Sequence, residues 1–346
     1  MQGNSLEDLK APLELAWTYE PPVEEGKSRY PIQATAVIAD GVVYVGSQDA
    51  KFFAIDLASG DLNWSVDTEG GIKAPAGVFG NTVYVGDTYG IVYALNTENG
   101  EERWKYETDD QIEGGVNALE IDGKLQILIG SHDVNLYAFD AETGDVLWKH
   151  ETGSPILATP AIIASNQSVT FGGCDEFFHV VSANKKHEPK QIEVGGNVLN
   201  TSAVSDGIAY LSHHGGFVMA IEVETGEKVW ELETGVEYRA SPAVGKEHVY
   251  VAGGDKRLVA YDRMTGDEVW AFQARRSLDS SPVICRSAIW VGGGDGILYA
   301  VDPENGKELW SYDLGTQMVA SPAISRQTLV ICGDDGVVYA FRPATS

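Results

Sequence analysis

Short apolar runs, rich in β-branched and aromatic residues, recur along this chain with Gly, Asp and Asn between them. Residues 281–310 show the pattern in full: SPVICR, AIWVGGGDG, ILYAVD and KELW follow one another. Runs of this length and composition predict strands, and the residues between them predict tight turns. The fourth run closes an eleven-residue phrase that ends in tryptophan. It reads AIDLASGDLNW at 54–64, ALNTENGEERW at 94–104 and AFDAETGDVLW at 138–148. It returns as AIEVETGEKVW at 220–230, AYDRMTGDEVW at 260–270 and AVDPENGKELW at 300–310.

Trp17, Trp64, Trp104, Trp148, Trp230, Trp270 and Trp310 are separated by 47, 40, 44, 82, 40 and 40 residues. The gap of 82 is two periods with one tryptophan lost near Lys190, in the degraded phrase VVSANKKHEPK. A period of about 40 residues with strand content predicts a propeller. Sets of inner, second and third strands are expected near 33–56, 74–96, 115–140, 158–183, 201–222, 240–262, 280–302 and 320–342. The last set has no tryptophan strand after it, and the spare one is LELAWTYE, at 13–20, around Trp17. The expected fold is therefore an all-β, eight-bladed β-propeller of four-stranded antiparallel blades. The N-terminal strand completes blade 8, which removes the open edges of the array. The expected organisation is a polar tail at 1–12 and one propeller at 13–346, with an insert, EPPVEEGKSRYP, at 20–31.

The turn residues read as structural. Glycine in the phrase supplies a positive φ at little steric cost. Asp49, Asp133, Asp175, Asp255, Asp295 and Asp335 each precede the phrase by five residues, where an aspartate caps local N–H groups. GGGDG at 292–296 joins two strands and lacks the helix of a phosphate loop.

The formal charge of −27 disfavours nucleic acid and anionic lipid as partners. No run of 18 apolar residues predicts a membrane span, and MQGNSLEDLK lacks the basic and apolar regions of a signal peptide. Cys174, Cys285 and Cys332 are odd in number, and Cys285 and Cys332 read as buried strand residues. His132, Cys174 and His214 fall at one equivalent position in blades 3, 4 and 5. Packed sheets lie about 10 Å apart, whereas zinc holds its ligands at about 2.0–2.3 Å, so no metal site is expected there.

The candidate ligand or partner site is the channel mouth, where the loops entering the inner strands converge. Gln33, Lys73, Glu113, Asn200, Arg239, Asp279 and Gln317 fall there in register or nearly so, with Arg276 close by. Apolar walls with a few convergent polar groups are the usual composition of a binding site. Tyr89, Tyr238 and Met318 are candidate anchors for a partner, or else packing residues between blades.

The phrase A-x-D-x-x-T-G-x-x-x-W, preceded by S-P-A-V, resembles the tryptophan-docking repeat of the PQQ-like, quinoprotein-type propellers. Residues 241–270, SPAVGKEHVYVAGGDKRLVAYDRMTGDEVW, carry it most fully. The resemblance implies that the seven tryptophans dock between blades. The compact form, without long inserts, resembles the BamB-like outer-membrane assembly propellers. That implies a non-catalytic interaction platform with a protein partner, no cofactor, an extracytoplasmic location and a chain that is monomeric on its own. The alternative is a small-molecule or quinone-binding protein, an oxidoreductase of the PQQ-dependent dehydrogenase kind with calcium. Such enzymes carry a vicinal Cys-Cys, and no two cysteines are adjacent here.

Overall fold

In the computed structural model, residues 7–23, 26 and 28–344 are described. The first half of the polar tail (1–6) and part of the 20–31 insert lie outside them. The strands form eight four-stranded sheets. Blades 1 to 7 span 37–67, 77–107, 117–151, 161–193, 203–233, 243–273 and 283–313. Each runs in chain order from an inner to an outer strand, with every neighbouring pair antiparallel. Blade 8 takes Ala323–Ser325, Thr328–Cys332 and Val338–Pro343 from the end of the chain and Leu13–Tyr19 from its beginning. Tyr19 pairs with Val338 and Leu13 with Pro343, so the ring closes as the tryptophan count predicts.

The phrase explains itself in three dimensions. Each tryptophan of the outer strand pairs across to an alanine of the third strand, as in Ala54–Trp64, Ala260–Trp270 and Ala340–Trp17. A methyl side chain there leaves room for the indole. A β-bulge follows at that point in blades 1, 2, 3, 5, 6, 7 and 8. Bulges increase local twist and re-aim a side chain. Five of the indoles then reach the next blade, as when Trp17 Nε1 donates to Leu57 O (3.0 Å), Trp64 to Thr97 O (3.0 Å) and Trp230 to Arg263 O (3.0 Å), whereas Trp148 donates to Gln126 Oε1 of its own blade (2.8 Å). Burying each indole stabilises the seam by about 2–3 kcal/mol as an upper figure.

Blade 4 departs from this plan. Val180 faces Lys190 where the others have Ala and Trp, no bulge occurs, and the outer strand shrinks to Lys190–Glu193. Lys190 Nζ donates to Glu224 O of blade 5, taking over the role of the indole N–H. Ile192 fills the space against Gly226. At the other side of the ring, Leu9 is fully buried with Cys285, Trp290 and Met318, and Asp8 accepts from Ser287 N and Oγ (2.8 Å each). No helix among the described residues is long and apolar enough to cross a membrane.

Five of the six turn aspartates cap as expected; Asp49 does not, and its buried Oδ1 is without a partner. Asp133 accepts from Asn135 N (3.0 Å), Tyr137 Oη (2.5 Å) and Asp109 N of the preceding linker (3.1 Å). Asp295 repeats this with Ile297, Tyr299 and Arg275, and Asp335 with Val337 and Tyr339. Asp87 does the same work from two residues earlier in blade 2. GGGDG forms a turn between two strands. Cys332 lies inside a strand, whereas Cys285 sits just after one; both are buried.

Candidate functional site

Antiparallel order brings the linker before each inner strand and the hairpin between the second and third strands to one face of the disc. This is the mouth face. The tryptophan-phrase hairpins lie on the far face. The expected mouth residues therefore share a face, and the structure sorts them into three groups and some strays.

Lys73 of blade 2 reaches Glu113 of blade 3, with Nζ 2.6 Å from Oε1. Glu113 Oε2 lies 3.8 Å from His132 Nε2, and His132 Nδ1 is 3.1 Å from Gln111 Nε2. Gln33 donates to Asp334 Oδ1 (3.1 Å) and accepts from Gln48 Nε2 (2.7 Å), which ties blade 1 to blade 8. Arg239 and Asp279 line one pocket of about 460 Å³ with Glu237, Asp255 and Ser277. Glu237 Oε1 takes both Arg239 Nε (2.9 Å) and His214 Nε2 (2.7 Å). The Arg239 hydrogen bond, with a smaller contribution from His214, holds the Glu237 carboxyl below the usual carboxylate range.

Arg276 and Gln317 are exposed and stand outside these groups. Asn200 is buried in the seam of blades 5 and 6, where Nδ2 donates to Ser212 Oγ (3.1 Å) and Ala240 O (3.0 Å). Other blades place Ala34, Ala74, Gly114, Ala158, Ala240, Ser280 or Ala320 at this position, so Asn200 works as an interblade link. Of the three candidate anchors, Tyr89 is 68% exposed, but Tyr238 and Met318 are buried at 4% and 0%. Tyr238 packs with Trp230 and Tyr261, and Met318 sits in the core of blades 7 and 8.

Below the mouth lies a feature that register reasoning at the mouth missed. The N–H of Thr201 donates to Ser241 Oγ, Ser241 to Ser281, Ser281 to Ser321 and Ser321 to Thr35 Oγ1, all at 2.9–3.0 Å. Gly115 N donates likewise to Thr159 Oγ1 (2.9 Å). These bonds staple five of the eight seams: 3–4, 5–6, 6–7, 7–8 and 8–1. The 1–2 and 2–3 seams cannot form them, because Pro75 has no N–H and neither Pro75 nor Gly115 has a hydroxyl, and Thr159 and Thr201 do not pair in this way across the 4–5 seam. The Ser-Pro pairs at 241, 281 and 321 were the sequence signal. The ring lines a cavity of about 510 Å³ whose remaining wall includes Ile38, Val78, Phe79, Val116, Val283 and Ile324.

For a quinone with its calcium, the mouth offers Lys73 and Arg239, both already engaged with carboxylates, and exposed Arg276 and Tyr89, while Tyr238 and Met318 are buried. Among the described residues no group of three or more His, Cys, Asp or Glu side chains is arranged to hold a metal ion. The three free cysteines stand apart in blades 4, 7 and 8.

Comparison with solved structures gives the same fold at low identity. BamB from Moraxella catarrhalis superposes with a TM-score of 0.79 at 19% identity, covering 97% of this chain and 99% of that one. The quinohemoprotein alcohol dehydrogenase from Comamonas testosteroni gives 0.80 at 16%, covering 96% of this chain and 78% of that one. The computationally designed Ika8 protein gives 0.77 at 17%, covering 92% and 98%. No curated protein matches. The family model for outer membrane protein assembly factor BamB, built on PQQ-like repeats, matches residues 14–155, 54–185 and 179–346. Since these stretches together run through all eight blades, the chain belongs to that BamB-type family of PQQ-like propellers.

Proposed function

We propose that this protein is a non-catalytic interaction platform of the BamB kind, which serves in outer-membrane protein assembly and works outside the cytoplasm. The observation that carries the reading is the distribution of irregularity. Outside the seams of blade 4, the seams and tryptophan hairpins largely repeat around the disc, while the mouth face carries charged and polar groups that differ from blade to blade: Lys73–Glu113, Gln33–Asp334 and Arg239–Glu237–His214. A repeating frame that holds one non-repeating face suits recognition of a partner chain. Exposed Tyr89 on that face supplies an aromatic anchor beside the charged groups. The family match and the near end-to-end overlap with a BamB structure support the same reading.

The test is a Lys73→Ala, Arg239→Ala double variant in the full chain, with a photocrosslinking residue at Tyr89. In the native envelope, crosslinks to an assembly component are expected, and the double variant is expected to lose them. Unchanged crosslinking in the double variant refutes the mouth as the partner surface. A parallel titration with PQQ and calcium, followed by absorbance and dye reduction with alcohols and sugars, addresses the dehydrogenase alternative. Saturable binding with turnover would overturn the platform reading.

A further inference from the structure

Six of the seven histidines fall between residues 132 and 214, in blades 3, 4 and 5. Four of them are buried or half-buried: His179 and His213 fully, His132 and His150 in part. Each keeps one buried ring nitrogen without a hydrogen-bond partner, His132 Nε2, His150 Nε2, His179 Nδ1 and His213 Nε2, but His132 lies at the mouth beside Glu113, whereas the other three lie in seams.

The repeat shows what these histidines replace. His179 stands four residues after Asp175, where blades 3, 7 and 8 place Tyr137, Tyr299 and Tyr339, and it hydrogen-bonds Asp175 Oδ2 through Nε2 (2.8 Å). His150 stands two residues after the tryptophan of blade 3, where blades 2, 6, 7 and 8 have Tyr106, Phe272, Tyr312 and Tyr19. His213 stands where blades 1 and 3 have Ser47 and Ser131. At the His213 position blade 2 has Asp87 and the remaining blades have glycine, so blade 5 alone places an imidazole there.

They occupy both seams of blade 4. His150 meets His179 edge-on across the blade 3–4 seam, with centroids 5.7 Å apart, and Phe171 stacks on His179 at 5.0 Å. His213 stacks on Phe217 at 5.3 Å, accepts Gly215 N–H at Nδ1 (3.0 Å) and presses on the blade 4–5 linker. A β-carbon on Gly196 of that linker would lie 2.3 Å from His213 Nδ1.

The charged surroundings are few. His150 faces His179 and Asp175 from blade 4, and His179 faces His150 and Asp175. Burial pushes the His150 imidazole below its ordinary range, His179 adds to this and Asp175 opposes it. Burial also lowers His213; the Val194 carbonyl and Glu231 oppose this, and Lys228 adds to it. A base lowered on folding binds fewer protons folded than unfolded, so its contribution is complete above the unfolded value of about 6.5 and falls as pH drops below it. Blade 4 has the shortest outer strand in the ring and lacks the indole, so it has least packing to resist.

We propose that blades 3–5 form an acid-responsive joint in the ring, in which protonation of His150 and His213 loosens the two seams that flank blade 4. The inference does not depend on the platform reading. Because Glu113, His132 and His214 stand on or beside the same blades, loosening reaches one side of the mouth.

Peptide-resolved hydrogen exchange on the full chain, at about pH 7.5 and about pH 5.5 with intrinsic rates corrected, locates the effect. Opening of segments within 146–222 is expected to rise about tenfold more than opening of blades 1, 6 and 7. The repeat supplies the replacements: His150→Phe and His213→Ser together are expected to abolish the difference, and His150→Phe alone to reduce it at the blade 3–4 seam. A pH response spread evenly over all eight blades overturns the proposal, even if the double variant fails to fold. An undiminished local response in either folded variant overturns it too.

Discussion

A β-carbon built on Gly266 would lie 2.9 Å from Cδ2 of Trp230, the tryptophan one blade earlier. The same overlap recurs at Gly60 with Trp17, Gly100 with Trp64, Gly144 with Trp104 and Gly306 with Trp270. The glycine and the tryptophan of the phrase thus form a unit across a seam, each serving its neighbour's partner. Gly226 is the exception, because it faces Ile192 at 3.3 Å and no indole. Both Gly226 (φ 82°) and Gly266 (φ 79°) are left-handed, so the backbone strain of an alanine is common to both. Gly266→Ala is expected to cost about 1–3 kcal/mol more than Gly226→Ala, through overpacking alone. Equal losses in chemical denaturation would show that the indole yields freely.

Ring closure rests on Leu13–Tyr19, so a chain that begins at residue 20 loses the outer strand of blade 8 and leaves the edge of Val338–Pro343 unpaired. It also loses Trp17, Leu9 and the Asp8–Ser287 bonds. A large drop in midpoint temperature with aggregation is expected, and a peptide of residues 7–19 added in excess is expected to restore part of it. A truncated chain that melts like the full one refutes the closure.

The hydroxyl ring makes a prediction in the opposite sense. Ser281→Ala removes the acceptor of the Ser241 N–H, and leaving such a donor unpaired costs about 1–3 kcal/mol. Thr35→Val does the same to Ser321 N across the point where the two ends of the chain meet. Each loss is read by urea unfolding. A neutral outcome in both would mean that channel water replaces the hydroxyl without penalty.

Asp133 and Tyr137 should bracket the pH range of stability. Burial raises the Asp133 carboxyl, but bonds from Tyr137, Asp109 and Asn135 outweigh it and hold it below its ordinary value. Tyr137 is raised by burial and then by Asp133. The carboxylate contribution is therefore present above the unfolded value of about 3.9 and lost as pH falls through the lowered one. The phenol contribution is complete below about 10 and lost as pH rises through the raised value. Tyr137→Phe is expected to flatten both limbs of a stability profile, while Asp133→Asn mainly removes the acid one. Parallel profiles for wild type and Tyr137→Phe contradict the pairing.

Much of this was legible in the chain because a repeat multiplies weak signals. The position of Trp17 and the gap of 82 residues fixed blade number and closure, since an indole and an alanine must recur at matched spacing to fill each seam. The turn aspartates were legible for the same reason. The mouth was legible only as a face. Register placed Lys73 beside Glu113, but it could not separate Asn200 in its seam from Arg276 in solvent. Tyr238 and Met318 alternate with exposed neighbours in irregular linkers, where no period tells inside from outside. The hydroxyl ring escaped notice because its Ser-Pro pairs also read as strand starts, and only geometry turns each N–H toward the next blade.

The first strand of the propeller pairs with the last. Tyr19 pairs with Val338, 319 residues later, the difference 338 − 19. At roughly 5–20 residues per second, roughly 15–65 s pass on the ribosome before that partner emerges. Trp17 does not wait so long, because its carbonyl acceptor, Leu57, appears within the first blade. Until Val338–Pro343 has been made, the pairing edge of Leu13–Tyr19 has no partner within its own disc, so closure must wait for the far end of the propeller.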